Sequence, residues 1–196
     1  MDGLAVYRPD EGQCAVGNLQ SLPRAGFAAR VAALAPALDV LGLPACLLDR
    51  ELRYHHVNAA YAAHSGRAAE AYQGRTPDEV FSRTPRDDRR AHMQAALDGK
   101  TEIFNRRTIE GPNAGRWMRA HYFPLCDDAG EVEGVLVVLV DIQQLKDAEA
   151  ALAERERQLS LIMDSVGFPI TYVDRQHVIR FANKPVANGA VAARRR

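Results

Sequence analysis

The sequence has few cysteines, no excess charge of either sign and no long apolar run, and each absence excludes a class of protein. Its 3 cysteines are isolated and form no Cys-x-x-Cys pair, which argues against a disulfide framework or a zinc site and indicates reduced thiols. Lysine and arginine number 25, as do aspartate and glutamate, so no net positive charge is available to hold nucleic acid or an anionic membrane. The longest aliphatic run, residues 135–140, is far too short to span a bilayer.

What is present is the composition of a globular protein. Hydrophobic residues make up 47% and charged residues 26% of the 196 residues, enough for one domain and part of another. The N-terminus lacks the basic and then apolar pattern of a signal peptide, so we expect a cytoplasmic protein. Residues 1–26 show no hydrophobic period, and we expect a loosely structured segment there.

An internal repeat is the most informative feature of the chain. Residues 34–58 align without gaps with residues 159–183, at a shift of 125 positions. The identical pairs are Leu34/Leu159, Asp39/Asp164, Gly42/Gly167, Pro44/Pro169, Asp49/Asp174, Arg50/Arg175 and Asn58/Asn183. The repeat predicts one kind of unit that begins twice, with a domain over residues 27–142 and the truncated start of a second one, plus a tail, over residues 166–196.

The hydrophobic pattern from residue 27 onward predicts mixed α and β structure. Apolar residues recur at helical spacing over residues 27–41, where Pro36 interrupts them, so we expect a kinked helix or two short ones. A hairpin of two short strands, several short helices and then three strands follow, the last ending at residue 142. Consecutive strands joined by short turns favour an α+β fold, in which an antiparallel sheet carries short helices on one face.

The order of these elements, together with their residues, resembles the bacterial PAS (S-box) sensor family over about residues 34–145. The first group of matching residues is Asp49-Arg50, Leu52-Arg53-Tyr54, Asn58, Ala60-Tyr61, Gly66 and Gly74-Arg75. The second is Trp117, Pro124-Leu125, Asp128, Gly130, Val132, Gly134-Val135 and Asp141-Ile142, although the family usually has Thr or Ser where this chain has Gln143. The resemblance implies a five-stranded antiparallel sheet that cups a small cavity, in a module found in sensor histidine kinases and diguanylate cyclases.

Strand parity and the resemblance together predict which side chains line that cavity. Side chains alternate between the faces of a strand, and the cavity positions of flavin-binding relatives favour the face of Met118 and Tyr122. The repeat aligns Tyr54 and His56 with two apolar residues, which predicts that both point inward. His92 lies on the helix from which haem-binding relatives offer an axial ligand. The predicted pocket residues are His56, Tyr54, Tyr61, His92, Met118, Tyr122, Val137 and Leu139.

The chemistry of these residues leaves the ligand open. His56 is interpreted either as a buried histidine satisfied by the protein or as a polar anchor for a metabolite. A flavin photosensor needs a reactive cysteine after the short helices, and none lies between Cys46 and Cys126. The cofactor is therefore unknown, with a small metabolite or none favoured over haem or flavin. No histidine spacing predicts a metal site, and no constellation predicts a catalytic centre.

A helix free of proline and glycine is predicted over residues 143–165. Leu145, Leu152 and Leu159 fall seven positions apart, which favours the seam of a parallel homodimer, although a helix lying on its own sheet or a solvated spacer would fit too. Trp117 and Phe123 on the outer sheet face are candidates to cover this helix or a partner subunit. Asp141 is predicted to cap the helix and, with Ile142, to relay a signal into it.

These observations predict a non-enzymatic PAS sensory module that detects a small ligand or a partner. Its signal would pass through the linker helix to an output domain of the histidine kinase or diguanylate cyclase type, which this chain does not contain. A ligand-free PAS module for dimerisation or protein interaction is one alternative, and a haem or flavin redox sensor is another. The expected partner is a second copy of the chain, a small-molecule ligand is allowed for, and neither nucleic acid nor a membrane is expected.

Overall fold

A computed structural model describes residues 26–81 and 89–183. The chain forms two compact units, residues 1–143 and 144–196, and each is described here by itself. The elements of the first unit are α1 (Phe27–Val40), β1 (Ala45–Asp49), β2 (Tyr54–Val57), α2 (Ala59–Ser65), a 3₁₀ turn (Ala69–Ala71), α3 (Pro77–Val80), α4 (Arg89–Leu97), β3 (Glu102–Arg107), β4 (Trp117–Cys126) and β5 (Val132–Asp141). They are followed by α5 (Gln143–Ser165), β6 (Thr171–Val173) and β7 (Ile179–Ala182).

The first unit is built on one antiparallel sheet with the strand order β2-β1-β5-β4-β3. This confirms the predicted five-stranded antiparallel sheet. The hydrophobic pattern predicts strands over residues 45–48, 53–57, 101–109, 116–125 and 131–142, and each of these bounds lies within two residues of the observed one. The sequence also predicts a helix over residues 85–97, whose start lies outside the described residues. Nearly all of the segment 1–26, for which a loose structure was expected, lies outside them too.

The inner face of the sheet holds the main core. Along β4 the residues alternate between buried and half-buried, so that Met118, Ala120 and Tyr122 point inward as their parity predicts. Val135, Val137 and Leu139 of β5 share this face. The short helices cover it with aromatic and apolar side chains, because a sheet with one solvated face must bury the other against other elements.

The outer face of the sheet is covered in part by α1, which corrects the prediction that the helices lie on one face only. Phe27, Val31 and Leu34 pack against a buried cluster that includes Leu47 of β1. The helix is continuous through Pro36, so the alternative of two short helices is wrong. Gly134 permits this packing, because a Cβ there would overlap the Phe27 ring and the Leu48 carbonyl.

The second unit consists of α5 and the hairpin β6–β7. The bounds predicted for the linker helix, residues 143–165, match α5. Strands β6 and β7 pair with each other, with a bulge between Tyr172 and Val173. The apolar side chains of this hairpin are exposed, Tyr172 by 62% and Ile179 by 63%.

The hydrogen bonds around β6 and β7 repeat those around β1 and β2 at the shift of 125 positions. Asn58 accepts from the Ala45 amide and donates to the Leu38 and Leu43 carbonyls. Asn183 accepts from the Ile170 amide and donates to the Met163 and Phe168 carbonyls. In the two β-turns, Asp49 and Asp174 each accept from the backbone four residues later, and Leu52 and His177 both have a positive φ.

Two further observations bear on the predicted class of protein. Within residues 26–81 and 89–183, no helix is long and apolar enough to cross a membrane. Cys46 is a buried free thiol, whereas Cys126 is disulfide-bonded. The expectation of three reduced thiols is therefore wrong for Cys126.

Candidate ligand cavity and helix junction

Six of the predicted pocket residues come together in the inner core. Tyr54, Tyr61, Met118, Tyr122, Val137 and Leu139 belong to one buried cluster. The Tyr54 and Tyr61 hydroxyls share a hydrogen bond of 3.1 Å, and the Tyr72 ring meets both tyrosine rings edge-on. Burial raises the pKa of both Tyr54 and Tyr61, so both hydroxyls stay protonated. These side chains fill one another's space and serve mainly as packing.

His56 does not point into this core, and the prediction that it does is wrong. A β-bulge in β2 pairs Tyr54 with Leu48 and His56 with Leu47. Leu48 belongs to the inner cluster and Leu47 to the outer one, and directly opposed residues share a face. The extra residue, His55, therefore reverses the parity of the strand. His56 Nε2 lies 3.0 Å from Asp39 Oδ1 of α1, on the outer face.

His92 is held at the surface between α4 and β3. Its Nδ1 lies 2.7 Å from Glu102 Oε2, and its ring stacks on Phe104 with 3.6 Å between the ring centroids. The imidazole thus has a charged partner and an aromatic one. This placement does not favour an axial ligand directed into the core.

Two cavities adjoin the packed core. The larger has a volume of about 100 Å³ and lies between the β1–β2 turn and the helices α3 and α4. Its lining consists of Glu51, Leu52, Thr76, Pro77, Asp78, Arg89, Arg90 and Met93. None of the predicted pocket residues lines it.

The smaller cavity has a volume of about 20 Å³ and is lined by more buried polar residues than the larger one. Two predicted residues, Tyr61 and Leu139, line it, and the others that do so are His64, Ser65, Phe81, Arg89, Arg106, Thr108, Ile109 and Glu110. His64, Arg89 and Thr108 are each more than nine-tenths buried. The sequence analysis did not predict the polar residues of this cavity. Arg106 could have been found, because it lies two positions after Phe104 on β3 and therefore points to the same, inner face of the sheet.

A loop after β3 closes this cavity against the end of α2. The Thr108 amide donates to the Arg116 carbonyl, and Asn113 Nδ2 donates to the His64 carbonyl. Gly111 has a φ of +89°, and a Cβ there would press into the Ser65 backbone. Glycine is therefore needed for the close approach that brings Thr108 and His64 to one space.

The junction between β5 and α5 is tied by a set of hydrogen bonds centred on Asp141. Asp141 Oδ2 accepts from Nε and Nη2 of Arg116, at 2.9 and 2.7 Å, and its Oδ1 accepts from the Gln143 amide. Gln143 Oε1 in turn accepts from the Trp117 amide at 2.9 Å, and the Ile142 amide donates to the Trp117 carbonyl. Gln143, the departure from the family pattern, thus links the first turn of α5 to β4.

Electrostatic coupling links the cavity to this junction. Burial and the Arg106 guanidinium lower the pKa of His64, while the Asp141 carboxylate acts in the opposite direction. Desolvation tends to raise the pKa of Asp141, but the hydrogen bonds from Gln143 and Arg116, with a smaller effect of His64, lower it. His64 and the Asp141 carboxylate therefore each influence the pKa of the other.

The predicted seam residues are exposed within a single chain. Leu145, Leu152 and Leu159 are exposed by 46%, 60% and 56%. Trp117 and Phe123 are half-buried on the outer sheet face, where the Arg107 guanidinium lies over the Trp117 ring. The pattern of exposed leucines is compatible with a partner helix. Among the described residues, no group of three or more potential metal ligands is present.

Comparison with known proteins identifies the fold. A family model described as PAS fold matches residues 38–147, which is more than half of the chain. No curated protein matches the sequence.

Solved structures show the same fold at low sequence identity. The PAS domain of BvgS from Bordetella pertussis is 20% identical, with a TM-score of 0.46 over 65% of this chain and 98% of that one. An RNA-binding light-oxygen-voltage receptor is 17% identical, with a TM-score of 0.55 over 74% of this chain and 41% of the receptor. The phage VqmA–DPO complex is 17% identical, with a TM-score of 0.51 over 71% of this chain and 68% of that one.

Proposed function

The chain belongs to the PAS-fold family, and on this premise we propose that its first unit is a non-enzymatic sensory module that relays its state through α5. The observation that carries the proposal is the junction at Asp141. The last strand of the sheet and the first turn of the helix share one carboxylate, so a displacement of β5 would change the start of α5. A kinase or cyclase output domain would then receive the change.

The relay is testable without knowledge of the ligand. Asp141→Asn and Arg116→Gln both weaken the bidentate contact, and we expect at least a tenfold faster hydrogen exchange at the amides of residues 143–149. Arg119→Gln is the matched control, because Arg119 lies on β4, three residues after Arg116, and contacts Asn105 on the outer face. Exchange at residues 143–149 that stays unchanged in both junction variants would contradict the relay.

We further propose that α5 forms the seam of a parallel homodimer. Leu145, Leu152 and Leu159 supply one core position of the heptad, and buried leucines at such positions drive helix pairing. Leu152→Glu should shift the chain from dimer to monomer in sedimentation velocity. Leu161→Glu is the control, since Leu161 is as exposed, 60%, but lies off the seam. A dimer that survives Leu152→Glu argues for the alternative of a solvated spacer.

We also propose that the second unit is the start of a second PAS copy. The support is the recurrence of the Asn58 network at Asn183 and of the bulge between Leu47 and Leu48 at Tyr172 and Val173. In the first unit, β1 pairs with β2 on one side and with β5 on the other. A strand equivalent to β5 would therefore pair with β6 in a second copy. Appending a β5-like strand after residue 183 should protect the β6 amides from exchange, whereas a scrambled strand of the same composition should not.

The alternative modules make different spectroscopic predictions. A haem or flavin sensor would carry an absorbance band in the visible region, and a ligand-free module would show only the mass of the bare dimer. We propose a cytoplasmic module that holds a small colourless ligand or none, since His92 is engaged by Glu102 and Phe104. Native mass spectrometry together with an absorbance spectrum of the purified chain separates these cases.

A further inference from the structure

The smaller cavity contains three buried polar atoms that have no hydrogen-bond partner among the described residues. They are His64 Nε2, Arg106 Nε and Thr108 Oγ1. Buried polar groups are nearly always paired, so each unpaired one calls for a ligand, a water molecule or a functional reason. The three atoms belong to residues from three different elements, and all three residues line one cavity.

All three atoms are hydrogen-bond donors. Arg106 Nε carries a hydrogen, and the Thr108 hydroxyl can donate one. Asn113 Nδ2 lies 3.3 Å from His64 Nδ1 and can only donate, so Nδ1 is the acceptor and the ring hydrogen lies on Nε2. A cavity lined by three residues with unpaired donors favours an occupant that is rich in acceptors.

The charges around the cavity favour an anion. Arg89 and Arg106 line it, and the one acidic residue in the lining, Glu110, pairs with Arg67 at 3.2 Å. A planar carboxylate accepts hydrogen bonds at two oxygens and matches the directional donors of arginine. The volume of about 20 Å³ has room for about one water-sized group, such as a carboxylate oxygen, and for no extended cofactor.

We propose that the cavity formed by His64, Arg106 and Thr108 binds the carboxylate group of a small organic anion. The inference rests on the proposed sensory function and deepens it, because it names the class of ligand to which the module responds. The bound carboxylate would accept from His64 Nε2, Arg106 Nε and Thr108 Oγ1. Its negative charge would favour protonation of His64, which is coupled to Asp141 at the start of α5.

Acetate and acetamide are matched probes for this site, since they have the same shape but only acetate carries a charge. In the full chain, we expect acetate to shift the imidazole NMR signals of His64 in a saturable manner and acetamide to leave them in place. Thr108→Val, which removes the hydroxyl at nearly constant volume, and Arg106→Gln should each weaken acetate binding at least tenfold. Arg119→Gln is the control for the lost arginine, and Trp117 fluorescence during urea unfolding checks that each variant is folded.

The pH dependence supplies a second readout. Burial and Arg106 lower the pKa of His64, so its ring is neutral near pH 7.5, and the charged groups that act on it are Arg106 and Asp141 with the nearby Arg89, Arg67 and Glu110. Protonation adds a positive charge to the site, so acetate should bind more tightly at pH 6 than at pH 7.5. This increase should be smaller in His64→Gln.

Each outcome bears on a definite claim. Signals of His64 that neither probe moves would mean that the cavity holds only water, and the proposed site would be wrong. Equal binding of acetate and acetamide would also overturn it. Saturable acetate binding without a change in hydrogen exchange at residues 143–149 would support the site and contradict the relay, so the two proposals fail separately.

Discussion

Residues 38–58 and 163–183 make the same local hydrogen bonds but differ sharply in burial. Asn58 and Asn183 bridge equivalent backbone groups, and both segments contain the same bulge. Yet Leu47 and Leu48 are fully buried, whereas Tyr172 and Val173 are exposed by 62% and 44%. The comparison shows that turn and bulge geometry follows from nearby residues, while burial depends on strands and helices that come from far along the chain.

The largest expected effect tests the difference in burial directly. Tyr54→Ala should lower the free energy of unfolding of the first unit by about 4 kcal/mol, because a large aromatic ring that is 1% exposed leaves a cavity. Its counterpart Ile179→Ala should cost less than about 0.5 kcal/mol, since Ile179 is 63% exposed. Urea unfolding followed by the fluorescence of Trp117, the single tryptophan, measures the first unit, and hydrogen exchange of residues 171–182 measures the second.

Similar losses in the two variants would show that the hairpin of the second unit is as well packed as β1 and β2. The comparison between buried and exposed copies would then fail.

The shared hydrogen bonds should be the next most sensitive feature. Asn58→Ala removes two acceptor contacts, to the Ala45 and Tyr61 amides, and two donor contacts from a fully buried side chain. We expect a loss of about 3 kcal/mol in the first unit. Asn183→Ala should leave the Trp117 transition in place and should accelerate hydrogen exchange near β6 and β7.

Asn105→Ala provides the control, since Asn105 is an exposed asparagine that contacts Arg119. A loss at Asn105 comparable to that at Asn58 would mean that the buried network has no special weight.

The docking of α1 on the outer face should respond to a smaller change. Gly134→Ala places a methyl group against the Phe27 ring and the Leu48 carbonyl, and we expect a cost of about 2 kcal/mol with faster proteolysis within α1. Gly26→Ala adds the same methyl group where nothing lies within 4 Å, and it should be neutral. An unchanged α1 in Gly134→Ala would indicate that this helix is not tightly packed on the sheet.

The smallest effect concerns the bulge in β2. His56→Ala should cost less than about 1 kcal/mol, because the ring lies half-buried on the outer face beside Asp39. The same urea unfolding measures it against Tyr54→Ala, two residues away. A cost close to that of Tyr54→Ala would restore the interpretation that His56 is an inward-facing core residue.

Much of the fold could be predicted because it depends on local patterns. The bounds of α5 follow from a stretch without proline or glycine, and the alternation along β4 shows in its sequence. The face of His56 could not be predicted by parity, because one extra residue in the strand reverses every position after it. The predicted pocket was also misjudged, since six of its eight residues face inward but fill the core with their own side chains.

The candidate site itself was reached only through the structure. Arg106 and Thr108 lie at the end of β3 and directly after it, but His64 lies on α2, much earlier in the chain, and no short motif joins it to them. Their importance lies in unpaired donors, which depend on every neighbour of each atom. A sequence pattern records which residues are present but not which of their polar atoms lack a partner.

By itself, the sequence determined the antiparallel sheet, the repeat at 125 positions and the long outgoing helix, because periodicity, turn residues and helix breakers act over a few neighbouring residues. Only the tertiary structure decided which face His55 and His56 occupy, that α1 lies on the outer face and that three residues with unpaired donors line one cavity. Those features depend on close packing between distant segments, where one inserted residue or one missing side chain changes what every neighbour can contact.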